Sequence, residues 1–149
     1  INNNLYLGII MIKILFSPAE GKNNGGNEIA RELLGSNNSR KNIFDEYNKI
    51  IDSKNEEDIK KLFGLKKFDD CIPYINNIYN SKLMCAIERY QGVAYEYLDL
   101  KGLNSKELEY LKQNTIIFSN LYGPILGGDT IVNYKVKQGN DVGAITPDK

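Results

Sequence analysis

The segment Thr115 to Tyr122, TIIFSNLY, constrains the fold of this chain more than any other. It is uninterrupted, β-branched at its start and bounded by Gly123-Pro124, so it reads as a strand that ends at that dipeptide. Just before it, Asn104 with Glu107 makes a box-like start for a helix ending near Asn114. A second apolar run, Leu5 to Phe16, reads LYLGIIMIKILF and is broken only by Gly8 and Lys13. It is too short for a bilayer span, which needs about 20 apolar residues, and it lacks the basic flank and cleavage site of a signal peptide. Met11 reads as a start, with a buried strand over Ile12 to Phe16. Residues Ile1 to Ile10 are then an over-translated or non-native extension, expected to be dispensable for folding.

The rest of the chain alternates between helix and strand signals. Ser17 to Asn27, SPAEGKNNGGN, is a loop rich in breakers. A short helix is expected at about Asn27 to Leu34, stopped by Gly35. Ser39 can cap a second helix in which Ile43, Tyr47, Ile50 and Ile51 share a face. Ser53-Lys54-Asn55-Glu56 reads as a capping box opening a third helix to Phe63, with Gly64 at its end. Pro73 interrupts the next stretch, and Ile75, Ile78 and Tyr79 suggest a helical turn beyond it. Leu83 to Tyr90 reads as a strand, and Gly92 opens another helix-prone stretch. Gly127-Gly128-Asp129 turns the chain into Thr130 to Lys137, which alternates like a half-exposed strand. The expected fold is α+β: one layered domain with a mixed β-sheet flanked by helices. The pattern leaves the strand order open.

Composition removes several chemistries. Histidine is absent, which excludes His-based dyads and triads, His-ligated zinc and haem held by His. No carboxylate cluster has convincing ligand spacing, so neither metal nor cofactor is expected. Lys plus Arg and Asp plus Glu each total 19. Any binding to phosphate must therefore come from a local patch rather than a global field. The aromatics are mostly tyrosine, 10 against 5 phenylalanines, and such rings usually sit half-buried with the hydroxyl on a partner. Cys71 and Cys85 form no C-x-x-C pair and lack a flanking basic cluster, so both read as buried small hydrophobes rather than peroxide-reactive thiols. Ser17 has no histidine to activate it and reads as a capping or turn residue.

Four motifs resemble the YaaA family, in the family's order and at compatible spacing. Met11 to Ala19, MIKILFSPA, is similar to its opening strand and Ser17-Pro18-Ala19 turn. Ala86-Ile87 followed by Gly92-Val93-Ala94-Tyr95 is similar to its central strand and Gly-Asp-Val-Tyr turn. Phe118 to Gly123, FSNLYG, resembles Leu-Ser-Gly-Leu-Tyr-Gly, matching at Leu121, Tyr122 and Gly123. Ile131 to Gly139 resembles Gln-Pro-Tyr-Arg-Leu-Glu-Met-Gly, with Tyr134 at the tyrosine and Lys135 at the arginine. The chain departs from the family at Glu20, where a lysine is usual, and at Leu126 to Asp129, which replaces Arg-Pro-Leu-Asp. The resemblance covers residues 11–149 as the front of the family domain, without its Lys- and Arg-rich continuation. It implies a cytoplasmic protein that resists peroxide stress, binds DNA non-specifically (double-stranded or distorted), and limits damage from iron without being an enzyme or sitting in a membrane.

Two stretches are candidates for that DNA contact. Leu62 to Lys66 resembles the hairpin of a helix-hairpin-helix, with Gly64 at the turn and Lys60, Lys61, Lys66 and Lys67 around it. Such a hairpin aims backbone N–H groups at a phosphate. The plainer reading is a glycine C-cap followed by a solvated lysine turn. Along the last strand, Lys135 and Lys137 share one face and Tyr134 takes the other. That is either a basic strip beside an aromatic or an edge strand guarded by lysines. The Ser17 to Gly26 loop, with Lys22 and Gly25-Gly26, is a weaker phosphate cradle. It also carries one alternative reading, an enzyme acting on a nucleotide or nucleic acid; the other alternative is an inactive truncated fragment.

Overall fold

A computed structural model of the protein describes residues 12–27 and 40–143. The expected extension at 1–10, the helix after Asn27 and the Ser39 cap lie outside them. In chain order the elements are β1 (Ile14–Phe16), β2 (Gly21–Lys22), α1 (Lys41–Asp52), α2 (Glu56–Phe63), β3 (Met84–Cys85), α3 (Ala86–Arg89), β4 (Tyr90–Gln91), α4 (Val93–Tyr97), α5 (Ser105–Asn114), β5 (Thr115–Ser119), β6 (Gly123–Leu126) and β7 (Thr130–Ile131). Turns of 3-10 helix lie at Ile72–Tyr74, Ile78–Asn80 and Leu100–Gly102.

The fold is α+β, as the alternation of signals implied. β1 pairs in parallel with β5, Ile14 opposite Thr115, and β5 pairs antiparallel with β6. β2 pairs with β4, and β3 with β7, both antiparallel. Along β5 the side chains alternate: Thr115, Ile117 and Ser119 are buried, while Phe118 is 50% exposed. Leu15 is 64% exposed and Leu126 40%, so the outer face of this sheet stays apolar and open among the described residues.

The helices contribute their apolar faces to the same core cluster as Ile117 and Ile125 of this sheet. α1 buries Ile43, Phe44, Tyr47 and Ile51, and α2 buries Ile59, Leu62 and Phe63. Each such side chain stabilises the fold by roughly 1.5–3 kcal/mol. Asn48, on the same face of α1, accepts a 2.8 Å hydrogen bond from the Ile78 amide and so fixes the 3-10 turn against the helix. The box at Asn104 forms as expected: its side chain accepts from Lys106 and Glu107 amides while Glu107 accepts from the Asn104 amide.

Several expectations need correcting. The cap of α2 is Asn55, which accepts from the Glu57 and Asp58 amides. Ser53 instead closes α1, its hydroxyl donating to the Ile50 carbonyl. Leu83 to Tyr90 is not one strand. The Ala86 and Ile87 amides donate to the carbonyls of Asp129 and Gly127, so the turn at 127–129 satisfies that backbone and the chain coils into α3. β5 ends at Ser119, whose hydroxyl oxygen accepts from the Leu121 and Tyr122 amides. Pro124 lies inside β6 opposite Phe118, on an edge strand where a missing N–H costs nothing. Only Thr130–Ile131 of the last expected strand pairs with a neighbour. Beyond it the alternation of side chains survives without a ladder: Val132, Tyr134 and Val136 are buried and Lys137 is exposed. Among the described residues no helix is long and apolar enough to cross a membrane.

Candidate functional site

The motif residues build a scaffold before they build a surface. Tyr134 is 4% exposed, and its hydroxyl donates to the Asn120 Oδ1 at 2.7 Å. It has no second proton, so the Tyr90 hydroxyl at 2.7 Å and the Ser119 hydroxyl at 2.9 Å must both donate to it. The Asn120 amide is oriented by its donation to the Val136 carbonyl at 2.7 Å. The FSNLYG turn and the extended segment carrying Tyr134 are thus locked by one closed set of buried hydrogen bonds. Leu121 is buried in the core. The Tyr122 hydroxyl accepts from the Val132 amide at 3.0 Å. Gly123 takes a φ of +72°, which an L side chain rarely adopts.

The opening motif meets the central one in the same way. The Tyr95 hydroxyl donates to the Ser17 carbonyl at 2.8 Å. Its ring meets Phe16 edge-on at 5.0 Å. Ser17, Pro18 and Ala19 line a shallow pocket with Gly92 and Tyr95.

The lysines cluster where the extended segment after Ile131 crosses the end of α2. Gly64 has a φ of +70°, and a Cβ there would lie 2.7 Å from the Cβ and Cδ of Lys137. The Lys137 stem therefore lies directly on the glycine turn. The Lys137 amide donates to the Leu62 carbonyl at 2.9 Å, and Asn140 donates to the Lys61 carbonyl at 2.6 Å. Lys60, Lys61, Lys66 and Lys137 line one open pocket with Glu57. Glu57 pairs with Lys60 at 2.5 Å. Among the described residues Lys61, Lys66 and Lys137 have no ion-pair partner. Lys67 is exposed but outside the pocket. The glycine turn of the hairpin is present. After it the chain makes a series of turns ending in the 3-10 helix at Ile72–Tyr74, not a second α-helix.

Gly64→Val introduces both the positive-φ strain and a collision with the Lys137 stem. It is expected to cost about 2 kcal/mol or more, combining roughly 1 kcal/mol for the backbone with the overpacking. A urea titration reads this directly; a midpoint unchanged from the parent would exclude the packing described.

Two residues before Lys137 along this extended segment, Lys135 lies 4.7 Å from the centre of the Tyr74 ring. Both line a polar pocket of about 790 Å³ that also holds Lys22, Asn24, Asn76, Gln91, Asn133 and Tyr134. Lys22 sits over the rings of Tyr134 and Tyr90, at 4.1 and 5.2 Å. Desolvation pulls its pKa down to about 7, helped by the like charge of Lys135. Burial also lowers the pKa of Arg89, which is 0% exposed. Its guanidinium donates to the carbonyls of Asn23 at 2.5 Å, Gly25 at 3.1 Å and Lys82 at 2.7 Å. Arg89 thereby fixes the loop that carries Lys22.

Sequence pattern does not flag Arg89, Tyr74 or the hydrogen-bonded set of Ser119, Asn120 and Tyr90 around Tyr134. One signal was present: a lone arginine beside Ile87 and Tyr90 in an apolar stretch. Both cysteines are free thiols. Burial raises the pKa of each, and Cys71 is 0% exposed. Cys85 is only half-buried, beside Glu88 and Lys112 in a second pocket. Among the described residues no three Cys, Asp or Glu side chains converge to hold a metal ion.

Comparison with known proteins adds a family. The family model described as peroxide stress protein YaaA matches residues 12–148. An uncharacterized protein of Campylobacter jejuni is 34% identical over 146 residues, covering 93% of this chain and 58% of the relative. A UPF0246 protein of Fusobacterium nucleatum is 30% identical over 134 residues, covering 84% and 51%. One from Finegoldia magna is 31% identical over 94 residues, covering 60% and 38%. The chain thus spans little more than half the length of the first two relatives.

Proposed function

Because this chain belongs to the peroxide stress protein YaaA family, we propose that it protects against hydrogen peroxide by binding DNA non-specifically in the cytoplasm, without catalytic turnover. The observation that carries the reading is the seating of Lys137 on Gly64. It gathers Lys61 and Lys66 from one stretch and Lys137 from another around a single turn. Lys135, two residues back, extends the same strip toward Lys22. Ammonium groups without carboxylate partners suit contact with backbone phosphates, and phosphate contacts fix a protein on a duplex without reading its sequence. Iron protection, on this reading, comes from shielding DNA rather than from metal held by this chain.

The test is a titration of a duplex oligonucleotide at several salt concentrations. Non-specific affinity no tighter than about 10⁻⁵ M at physiological salt is expected. Replacing Lys66 and Lys137 with Gln should weaken binding and flatten the salt slope by about 0.9 for each phosphate no longer neutralised. Lys67→Gln, outside the pocket, should change little. Equal affinities for the parent and the Lys66/Lys137 variant would remove the strip as the contact site. No binding by the parent at low salt would remove DNA.

A further inference from the structure

Lys22 differs from every lysine of the strip in its surroundings. Its Nζ has two tyrosine rings below it and the carbonyls of Ala19 and Glu20 at 3.3 Å each. Among the described residues no carboxylate forms an ion pair with it. Of the charges that face it, Lys135 and Arg89 oppose its ammonium form, and only the Glu20 carboxylate favours it. Taking an ammonium out of water without a paired anion is costly, and a lysine in that position gives up its proton instead. The pKa of about 7 leaves roughly half of the amine unprotonated at neutral pH, against well under 1% for an exposed lysine. An unprotonated amine opening on a polar pocket of about 790 Å³ is a nucleophile with room for a ligand.

We propose that Lys22 is a reactive amine that condenses with a phosphate-bearing aldehyde held in this pocket. The Nζ lone pair attacks the carbonyl carbon, forming a C–N bond as the carbonyl π pair moves to oxygen. Transfer of the nitrogen proton to that oxygen gives a carbinolamine. Loss of the hydroxyl with the remaining nitrogen proton as water leaves an imine. The sum is amine plus aldehyde to imine plus water, so no oxidant, reductant or further reactant is consumed. Lys135 is the cation placed to hold the phosphate. Asn24, Asn76, Gln91 and Asn133 offer amide groups to the hydroxyls of a sugar. Such an aldehyde has two sources: a free sugar phosphate, or the opened sugar at an abasic position of a DNA strand. The second rests on the DNA-binding reading above; the first does not.

The experiment is reductive trapping of the full chain with sodium cyanoborohydride, followed by peptide mapping. One arm uses glyceraldehyde 3-phosphate and the other an oligonucleotide with a single abasic site. At pH 7, modification of Lys22 is expected to be at least about tenfold faster than at exposed lysines such as Lys54 and Lys67, its gain in free amine being partly offset because a less basic amine is a weaker nucleophile. The Lys22 rate should level off about one pH unit above its midpoint near 7, instead of climbing through the whole range as an ordinary primary amine does. Lys135→Gln should move the plateau to higher pH, and with rates compared on the plateau it should slow the reaction with glyceraldehyde 3-phosphate but not with propanal. These readouts need no variant of Lys22 itself. Preference for Lys22 with the sugar phosphate alone assigns the free metabolite class; preference with the oligonucleotide alone assigns the DNA aldehyde. Modification spread evenly over the lysines in both arms, or a Lys22 rate that climbs like that of an ordinary primary amine, overturns the proposal. That holds even where intact duplex binds as expected, so the two failures are told apart.

Discussion

Arg89→Leu is expected to lower the stability of the chain by about 3–5 kcal/mol, more than any other substitution named for this protein. Leucine would fill part of the volume but leave the carbonyls of Asn23, Gly25 and Lys82 buried beside an apolar group. Three acceptors would then lose charge-assisted partners at once. A fold of ordinary stability has about 5–15 kcal/mol in total, so the urea midpoint should fall by a large fraction or the transition should disappear. A loss under about 1 kcal/mol would mean that water replaces the guanidinium at low cost. The same change should release the Asn23 to Gly25 backbone, and with it the enclosure of Lys22.

Tyr134→Phe is the second large effect. It keeps the ring beneath Lys22 and removes one oxygen atom. Asn120 then loses its donor, and Tyr90 and Ser119 lose their common acceptor. Leaving buried polar groups without partners costs about 1–3 kcal/mol each, with some relief by rearrangement. A net loss of about 2–3 kcal/mol is expected by denaturant titration. Ser119→Ala, which also frees the Leu121 and Tyr122 amides, should couple to it: the double variant should lose less than the sum of the singles. Strict additivity would show that the hydroxyls do not act as one set.

How much of the fold could be read in advance depends on how local each signal is. Gly64 as a left-handed helix stop and Asn104 with Glu107 as a capping box depend on neighbours within four residues, and both stand in the structure. The buried face of α1 is set by spacing alone. Tyr134 opposite Lys135 and Lys137 is a matter of alternation, and it persists even where no partner strand exists. The failures are non-local. Leu83 to Tyr90 looks like a strand, yet Gly127 and Asp129, far along the chain, accept its amides and Arg89 turns inward. Pro124 looks like a terminator, yet it sits in a strand because that strand lies at an edge. Tyrosine and asparagine in the motif stretches look like surface residues until three segments close around one hydroxyl. No short window could bring Lys137 onto Gly64, because that contact joins the end of a helix to a segment from the far half of the chain.

The parallel pairing of Ile14 with Thr115 has a kinetic consequence. Closing so long a loop is entropically costly, and that cost falls before any of the pairing's hydrogen bonds are formed. The helices of the intervening stretch can condense on local contacts, whereas β1 has to wait for β5. During synthesis from the N-terminus, the apolar strand Ile14–Phe16 therefore leaves the ribosome long before its partner exists. Its exposed interval is set by the rate of translation rather than by its own chemistry, and it is the interval in which a holdase chaperone has most to bind.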